Sequence, residues 1–401
     1  MSTNGVGNAW VGNELRVVAR AKIPFKLHTL IRPPSNFFAS EDVAAIDRNT
    51  HALYPLPVLG SAASALLAPL RFRRRFFEAL WNAATGERES ARVRAVGFVH
   101  LFVACHLATG LRREKVSHIH SQWIHSGGTV AMYGSWLLGK SFSFTGHAAD
   151  LFRERAALRD KIQRAEFIIC ISEFHRQLFL KNGARPEQLH IAYCGIDTSV
   201  FSPKPREDRK GRPVRILSSG RLVEKKGFEY VIRACKVLKE RGLAFECTIA
   251  GSGPLEAALR KQITEEGLDG QVTLTGKALK QEDIPAFMNG GDVYVLPCVW
   301  ASDDDVDGLP QMLMEAMACG LPAISTRLVG IPDLIIHEKT GLLVEPREVE
   351  PLADALERLA KDEALCQRLA EEGRRHLLEH FDLATCLEPL LDQFRAHLES
   401  T

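Results

Sequence analysis

The chain has 401 residues, long enough for two ordinary domains with sizeable cores. Its 46% hydrophobic and 25% charged residues belong to a folded globular protein and exclude a disordered one. The net charge of +2 conceals an asymmetry, because residues 1–200 carry 25 Lys and Arg against 15 Asp and Glu, and the remainder carries 26 against 34. A basic first half favours an anionic partner such as a lipid phosphate or a membrane surface, with a solvated basic face as the plain alternative. No nucleic-acid partner is expected. No window reaches the roughly 18 apolar residues that a membrane span needs, and no charged-then-apolar leader is visible. Nine cysteines, mostly inside apolar runs (Cys105, Cys170, Cys235, Cys298) and without CxxC spacing, read as reduced core thiols of a cytoplasmic protein.

The first residues predict a Gly/Asn-rich loop, a helix from Val11 to Ala21 and a strand from Phe25 to Ile31. In a Rossmann-type unit such a loop follows a strand. None precedes it, so a gap or weak edge is expected in the first sheet. From Leu59 to Gly110 the pattern is helical, apolar and basic. Within it, Ala65 to Trp81 reads as one basic helix with Arg71, Arg73, Arg74 and Arg75 beside Phe72, Phe76, Phe77 and Trp81. That composition suggests a peripheral membrane contact through Arg71, Arg73, Arg74, Arg75 and Phe76, against an ordinary surface helix.

From Val116 strands and helices alternate: strand His118–Trp123, helix Gly128–Leu138, strand Ser141–Thr145, strand Phe167–Ser172, helix Glu173–Lys181, strand Leu189–Tyr193. The pattern is that of a doubly wound parallel sheet. His118, His120 and His125 could be imagined as metal ligands but are read as packing residues, with no third partner in evidence. After the polar, proline-punctuated PKPREDRKGRP the alternation repeats, with strands at Val214–Ser219, Phe245–Ala250, Val272–Thr275, Val293–Pro297, Ala323–Thr326 and Gly341–Val344. Helices around Val349–Ala360 and Ala364–His380 follow, then a last one from Leu383 to Leu398. The expected division is 1–202, a linker at 203–213, 214–380, and a C-terminal helical segment at 381–401 that returns to the first domain.

Chemistry concentrates after the strand Val293–Pro297, in DDDVDGLPQMLMEAMACGLP. Pro310 suits a helix start, and Gly320 with Pro322 ends the helix after about three turns. Asp307, Gly308, Leu309, Pro310 and Gln311 therefore bring a helix N-terminus to the carboxyl edge of a sheet, where phosphates bind. Glu315 enters from the second turn, and its two oxygens can hold a vicinal diol such as a ribose. The alternative is that Glu315 serves a helix dipole and Asp307 caps a turn. A second loop, Ser219 to Gly227, places Gly220, Arg221 and Lys226 between a strand and a helix, a fork and a point charge for a diphosphate. Gly251-Ser252-Gly253-Pro254 hints at a dinucleotide fingerprint but has Pro254 in place of a third glycine in register, so NAD is not expected.

The spacing of Asp307 and Glu315 resembles the acidic-x7-acidic signature of the retaining, two-domain glycosyltransferases of family 4 (glycosyl transferases group 1). Members usually carry glutamate at both positions, so Asp307 is a departure, and they usually open with an apolar strand ahead of the N-terminal loop. Gly220-Arg221-Leu222 with Lys226-Gly227 is similar to the family motif whose Arg and Lys contact the donor diphosphate. Gly276 and Lys277 fall in the loop that lines the base pocket in that family. His147 with Asp150 resembles its HxxD element, in which the His hydrogen-bonds the donor sugar. Cys194 to Pro203 resembles the end of the family's first domain.

The resemblance implies an α/β GT-B architecture, two Rossmann-like doubly wound parallel-sheet domains facing across a cleft, with a C-terminal helix crossing back. It implies a retaining transfer from a UDP- or GDP-sugar to the hydroxyl of a saccharide or lipid-linked saccharide, similar to exopolysaccharide and colanic-acid biosynthesis. Reaction residues would be His147, Arg221, Lys226 and Asp307, without an enzymic nucleophile. Donor contacts would be Gly220, Gly276, Lys277, Gly308, Leu309, Pro310, Gln311 and Glu315. Asp303-Asp304-Asp305-Val306-Asp307 contains DxD strings that elsewhere hold a divalent cation, but beside Arg221 and Lys226 no metal or other cofactor is expected. The rival readings are a non-catalytic sugar-nucleotide-binding protein and a nucleotide-sugar epimerase of similar fold.

Overall fold

The computed structural model describes residues 1–6, 9–32, 41–147, 151, 156–205 and 211–399. The chain divides into two compact units, Met1–Tyr193 with Leu387–Thr401, and Cys194–Cys386. The crossing at Tyr193 precedes the expected bound at 202. Its cause is local: Ile196 N donates to Phe381 O at 3.1 Å and Leu383 N to Ile196 O at 2.9 Å, which ties the segment after Tyr193 to the end of the second unit.

In the first unit, β1 (His28–Thr29) pairs in parallel with β2 (His51–Ala52). Strands β3 (His118–Ser121), β4 (Ser141–Gly146), β5 (Phe167–Cys170) and β6 (Leu189–Ile191) make a parallel sheet in that order. The expected strand Phe25–Ile31 shrinks to two residues because its ladder has so little to pair with. On one side it meets β2, and on the other only the first residues, with Ser2 N donating to His28 O at 2.8 Å and Leu30 N to Ser2 O at 3.1 Å. Gln122 N donates to Met1 O at 2.9 Å, so residues 1–3 lie between β1 and the end of β3. No strand precedes Asn4 among the described residues. A cavity of about 470 Å³ lies beside Met1, lined by residues 23–28 and 114–120.

Over this sheet pack helices Val58–Phe72, Arg74–Thr85, Ala91–Leu111 and Ser126–Leu138. The single basic helix expected over Ala65–Trp81 is two helices. Pro69 supplies no N–H to the first, and Arg73 turns out of it at φ 49° and ψ −126° while its own N–H closes the last turn on Pro69 O at 3.0 Å. Ala91–Leu111 corrects another expectation, since this 21-residue helix contains an 18-residue window of mean hydropathy 1.4 and is long and apolar enough to cross a membrane. In this unit Leu101, Val103, Ala104, Cys105 and Ala108 on that helix are buried in the core. Gly134 on Ser126–Leu138 lets the two helices close up, as a Cβ there would lie 3.3 Å from Leu107 Cδ2. The last helix expected from Leu383 is also split, into Leu383–Cys386 and Glu388–Glu399. The break falls where the chain returns to the first unit, and Leu391 packs there on Val18 and Ile23.

The second unit is a six-stranded parallel sheet of β7 (Val214–Ser219), β8 (Phe245–Ala250), β9 (Val272–Leu274), β10 (Val293–Leu296), β11 (Ala323–Thr326) and β12 (Leu342–Val344). Its order, β12-β11-β10-β7-β8-β9, reverses direction between β7 and β10. At such a reversal the loops after the two central strands diverge and leave a crevice at their carboxyl ends. All four residues of β10 are fully buried, as their unbroken apolar run requires in a sheet covered on both faces. Hydroxyls finish the strand ends, with Ser218 Oγ donating to Val295 O, Ser325 Oγ to Leu296 O and Thr326 Oγ1 to Cys298 O, each at 2.6 Å.

The loop after β7 rests on the end of β10 through Gly227. Its φ is 68°, and a Cβ would stand 2.0 Å from Pro297 O. Gly227→Ala should therefore destabilise the protein by about 2–4 kcal/mol, strain and backbone clash together, read as a lowered midpoint in urea.

Candidate functional site

At the β7–β10 crevice four charged side chains lock two loops together. Lys226 Nζ lies 2.6 Å from Asp307 Oδ2, and Lys225 Nζ lies 3.1 Å from Asp307 Oδ1 and 3.1 Å from Asp305 Oδ2. The backbone repeats the link, as Val299 N donates to Lys225 O at 3.0 Å. Burial works to raise the Asp307 carboxyl, yet the Lys226 and Lys225 ammonium groups outweigh it and hold the acid below the usual aspartate range. Burial likewise opposes the Lys226 charge, and Asp307 outweighs that and holds the ammonium above its usual value. Both groups are ionised at neutral pH. Gly220 leaves room for the lysine stem, a Cβ there meeting Lys226 Cε at 3.3 Å. Arg221 is exposed and has no ion pair among the described residues.

The helix expected to run three turns is Gln311–Ala318, shorter, with Pro310 just outside it at φ −68° and ψ 117° and no side-chain cap. Gly308 is held by Gly330, whose N–H donates to Gly308 O at 3.0 Å. Glu315 is 5% exposed. Burial pushes its carboxyl up to about 7, against a hydrogen bond from Gln281 and the charge of Lys226. Its Oε2 has no hydrogen-bond partner among the described residues. A buried, half-satisfied carboxylate is costly, and a ligand offering hydroxyl donors would relieve it.

Gln281 joins the loop after β9 to this site and is a residue that sequence reasoning missed; nothing in its local pattern marks it. The same loop carries Gly276 at φ 66° and the exposed Lys277. Thr275 Oγ1 accepts from Gly251 N at 3.2 Å and from Lys277 N at 3.3 Å, tying the loops after β8 and β9 together. Arg221, Lys226, Asp307, Glu315 and the Gly276–Lys277 loop thus share the carboxyl edge of one sheet.

In the first unit His147 follows β4 and is 7% exposed. Trp10 lies against it with ring centroids 3.7 Å apart, and Trp123 stands 5.4 Å away. Burial, with His175 and His125 nearby, lowers its pKa to about 3, so the imidazole is neutral. The two tryptophans were missed, though Trp10 in a Gly/Asn-rich opening and Trp123 at a strand end were legible as ring platforms. Asp150 lies outside the described residues. His118 and His120 hydrogen-bond β4 hydroxyls, His118 to Ser141 at 2.6 Å and to Ser143 at 2.5 Å, His120 to Ser143 at 2.7 Å and to Thr145 at 3.1 Å. Contrary to expectation His118 does have further partners, Glu166 and His397, within metal-ligand reach. Both its ring nitrogens are engaged, and it stacks on His397 at 4.3 Å and 17°, which aims the two rings alongside rather than at a common point. His125 accepts from Ser126 N at 2.7 Å and stacks on Trp123.

Arg71 and Arg73 to Arg75 sit together around a cavity, Arg71 half-buried and the other three exposed. Phe76 does not belong with them as an exposed contact, since it packs against the core while Phe77 and Trp81 are the exposed rings.

The raised Glu315 carboxyl makes a pH prediction. A carboxyl at about 7 when folded and near its ordinary 4.5 when unfolded binds more protons in the folded state between those values. The native state therefore loses stability as pH rises through that window, by on the order of 3 kcal/mol at full effect. Glu315→Gln should unfold at nearly the same temperature as the parent at pH 4.5 and at a higher one at pH 8, read by thermal melts without nucleotide.

Residues 202–376 match the family Glycosyl transferases group 1, and residues 68–200 match Glycosyltransferase Family 4. Amylovoran biosynthesis glycosyltransferase AmsK of Erwinia amylovora is 38% identical over 224 residues, 54% of this chain and 54% of that protein. Alpha-D-kanosaminyltransferase of Streptomyces kanamyceticus is 30% identical over 292 residues, 66% of this chain and 73% of that one. Among solved structures, a glycosyltransferase from Rickettsia africae aligns with TM-score 0.70 at 14% identity, and Anabaena Alr3699/HepE in complex with UDP with TM-score 0.72 at 18%, each over 100% of this chain and 98% of the other. The chain spans about half the length of AmsK and of the colanic acid biosynthesis glycosyltransferases WcaL that it also matches. With the two parallel α/β units and the charged crevice in the second, these likenesses show that the chain belongs to the glycosyl transferases of group 1, with the GT-B fold.

Proposed function

We propose that the protein is a retaining glycosyltransferase that moves a sugar from a nucleoside-diphosphate sugar to a hydroxyl of a saccharide acceptor. The observation that carries this reading is Glu315, a buried carboxylate with one unpartnered oxygen, on the same sheet edge as Lys226 and Arg221. A ribose diol offers two hydroxyl donors to that carboxylate, and binding it there favours the ionised form. The diphosphate would lie toward the helix start at Gly308 to Gln311 and take Lys226 and Arg221 as counter-charges. UDP and UDP-glucose are bound by HepE, the fold neighbour, and this supports a nucleotide-sugar donor of the same general kind.

In the transfer, the bond from the anomeric carbon to the leaving phosphate oxygen breaks and the acceptor oxygen bonds to that carbon on the same face. The acceptor proton passes to the phosphate. Lys226 and Arg221 stabilise the negative charge that builds on the leaving diphosphate, a contribution that needs no enzymic nucleophile. Asp307 keeps Lys226 charged and pointed at the crevice before substrate arrives. His147, neutral and braced by Trp10, suits a hydrogen bond to a sugar hydroxyl better than proton abstraction.

The reaction is further assigned no metal. Cations already serve the site, and Asp305 and Asp307, the last DxD pair, are committed to Lys225 and Lys226. The names of AmsK and WcaL, for amylovoran and colanic acid biosynthesis, support a saccharide acceptor of exopolysaccharide type, and a lipid carrier for it is part of the same proposal. Eight of the nine cysteines are buried, which fits a reducing cytoplasmic setting.

A thermal-shift series with UDP and GDP tests the donor site. One nucleotide at about one hundred times its dissociation constant should stabilise the protein by about 2.7 kcal/mol, equally in magnesium and in EDTA. Glu315→Ala and Lys226→Ala should each abolish that shift. Stabilisation by neither nucleotide, or only in magnesium, contradicts the reading.

A further inference from the structure

A cavity of about 950 Å³ in the first unit is lined by six cations, Arg71, Arg73, Arg74, Arg75, Arg112 and Lys140, and by two carboxylates, Glu78 and Glu114. Both carboxylates are committed. Glu78 lies 2.6 Å from Arg74 and accepts from Trp136 Nε1 at 3.3 Å, and Glu114 lies 2.8 Å from Lys26. Among the described residues Arg71 reaches only the Thr109 hydroxyl, at 3.3 Å. Arg73, Arg75, Arg112 and Lys140 have no carboxylate partner among the described residues. So many like charges around one hollow repel each other, and an anion in it relieves the repulsion.

Two backbone features build the hollow. Arg73 adopts φ 49°, a conformation unfavourable for a side chain of this size, and so divides two helices at its rim. Gly139, at φ 65°, makes room for the Arg75 guanidinium, because a Cβ at that position would lie 2.2 Å from Arg75 Cζ. Guanidinium forks match phosphate oxygens in pairs, which favours phosphate over a single carboxylate as the guest.

One wall of the hollow is Leu70, which also ends an apolar stripe. Leu59, Leu66 and Leu70 recur on one face of helix Val58–Phe72 and are 87%, 79% and 75% exposed. A cationic cup continuous with an exposed apolar stripe fits an amphiphile. We propose that the cup binds the phosphate or diphosphate head of a lipid, whose chain lies along the stripe. Val116 and Lys140 precede β3 and β4 whereas His147 follows β4, so the cup lies at the sheet edge opposite His147 and takes the lipid end of the acceptor, away from the sugar that reacts; the proposal rests on the glycosyl-transfer reading for that acceptor.

The test is co-sedimentation of the full chain with phosphatidylcholine vesicles containing a minor fraction of a polyprenyl diphosphate. Parallel vesicles carry the same charge as oleate, or no added charge. The parent should bind only the diphosphate vesicles. Arg73→Gln/Arg75→Gln/Arg112→Gln, three exposed positions, should bind about 100-fold more weakly, and Leu66→Ser/Leu70→Ser should also lose binding. Equal binding by the parent and the triple variant, or equal binding to oleate vesicles, overturns the proposal. So does capture of free pyrophosphate by calorimetry without vesicle binding, which would assign the cup to a soluble phosphate. Nucleotide stabilisation of the same samples separates the two readings: if it persists while vesicle binding is absent, the lipid cup fails and the donor site stands.

Discussion

The second unit depends on one electrostatic constraint, the clamp of Lys225 and Lys226 on Asp307. Strand order sends the loops after β7 and β10 apart, and that divergence opens the crevice. The same divergence would leave two charged loops without a fixed separation. Asp307 fixes it by taking both ammonium groups, and Gly227 lets the first loop lie directly on Pro297 O. In a site this buried, removing one partner would strand the others without compensation. The residue that departs from the family pattern is thus the one that holds Lys226 in place. The shorter carboxylate reaches Lys226 at 2.6 Å, so phosphates bound as proposed would share or displace that contact.

Glu315 is the complement of this clamp. Where Asp307 is kept ionised by two cations, Glu315 is pushed toward its neutral form by burial and has an oxygen to spare. Two carboxylates on one sheet edge therefore have opposite environments. One is satisfied before the substrate arrives, and the other is satisfied only by it. Such a division places the energetic penalty of an empty site at the position where a ligand's hydroxyls can remove it.

Much of the second unit was legible in the sequence. Strands at Val214–Ser219, Phe245–Ala250 and Ala323–Thr326 read correctly because each is short, rich in apolar and β-branched residues at its buried positions and bounded by turn residues, with Arg215 and Glu246 at the less buried positions. The spacing from Asp307 to Glu315 and the Gly220–Gly227 loop located the crevice. The clamp itself was not legible, since nothing in local spacing says that Lys226 and Asp307 meet across a loop closure; Gln281 was hidden for the same reason. The first unit was harder. Its strand Phe25–Ile31 lost most of its length for want of paired neighbours, and the Ala65–Trp81 helix broke at Arg73, whose φ of 49° no breaker residue at that position announces. Ala91–Leu111 was misread because its charged residues cluster at one end, leaving a longer apolar run than the surrounding helices suggested.

The most direct measurement is a crystal structure of the protein with its preferred nucleoside diphosphate. The account predicts ribose hydroxyls on Glu315, phosphate oxygens within hydrogen-bond distance of Lys226 and Arg221, and a Lys226–Asp307 separation longer than 2.6 Å. A nucleotide bound elsewhere, or one whose ribose leaves Glu315 Oε2 untouched, would contradict it.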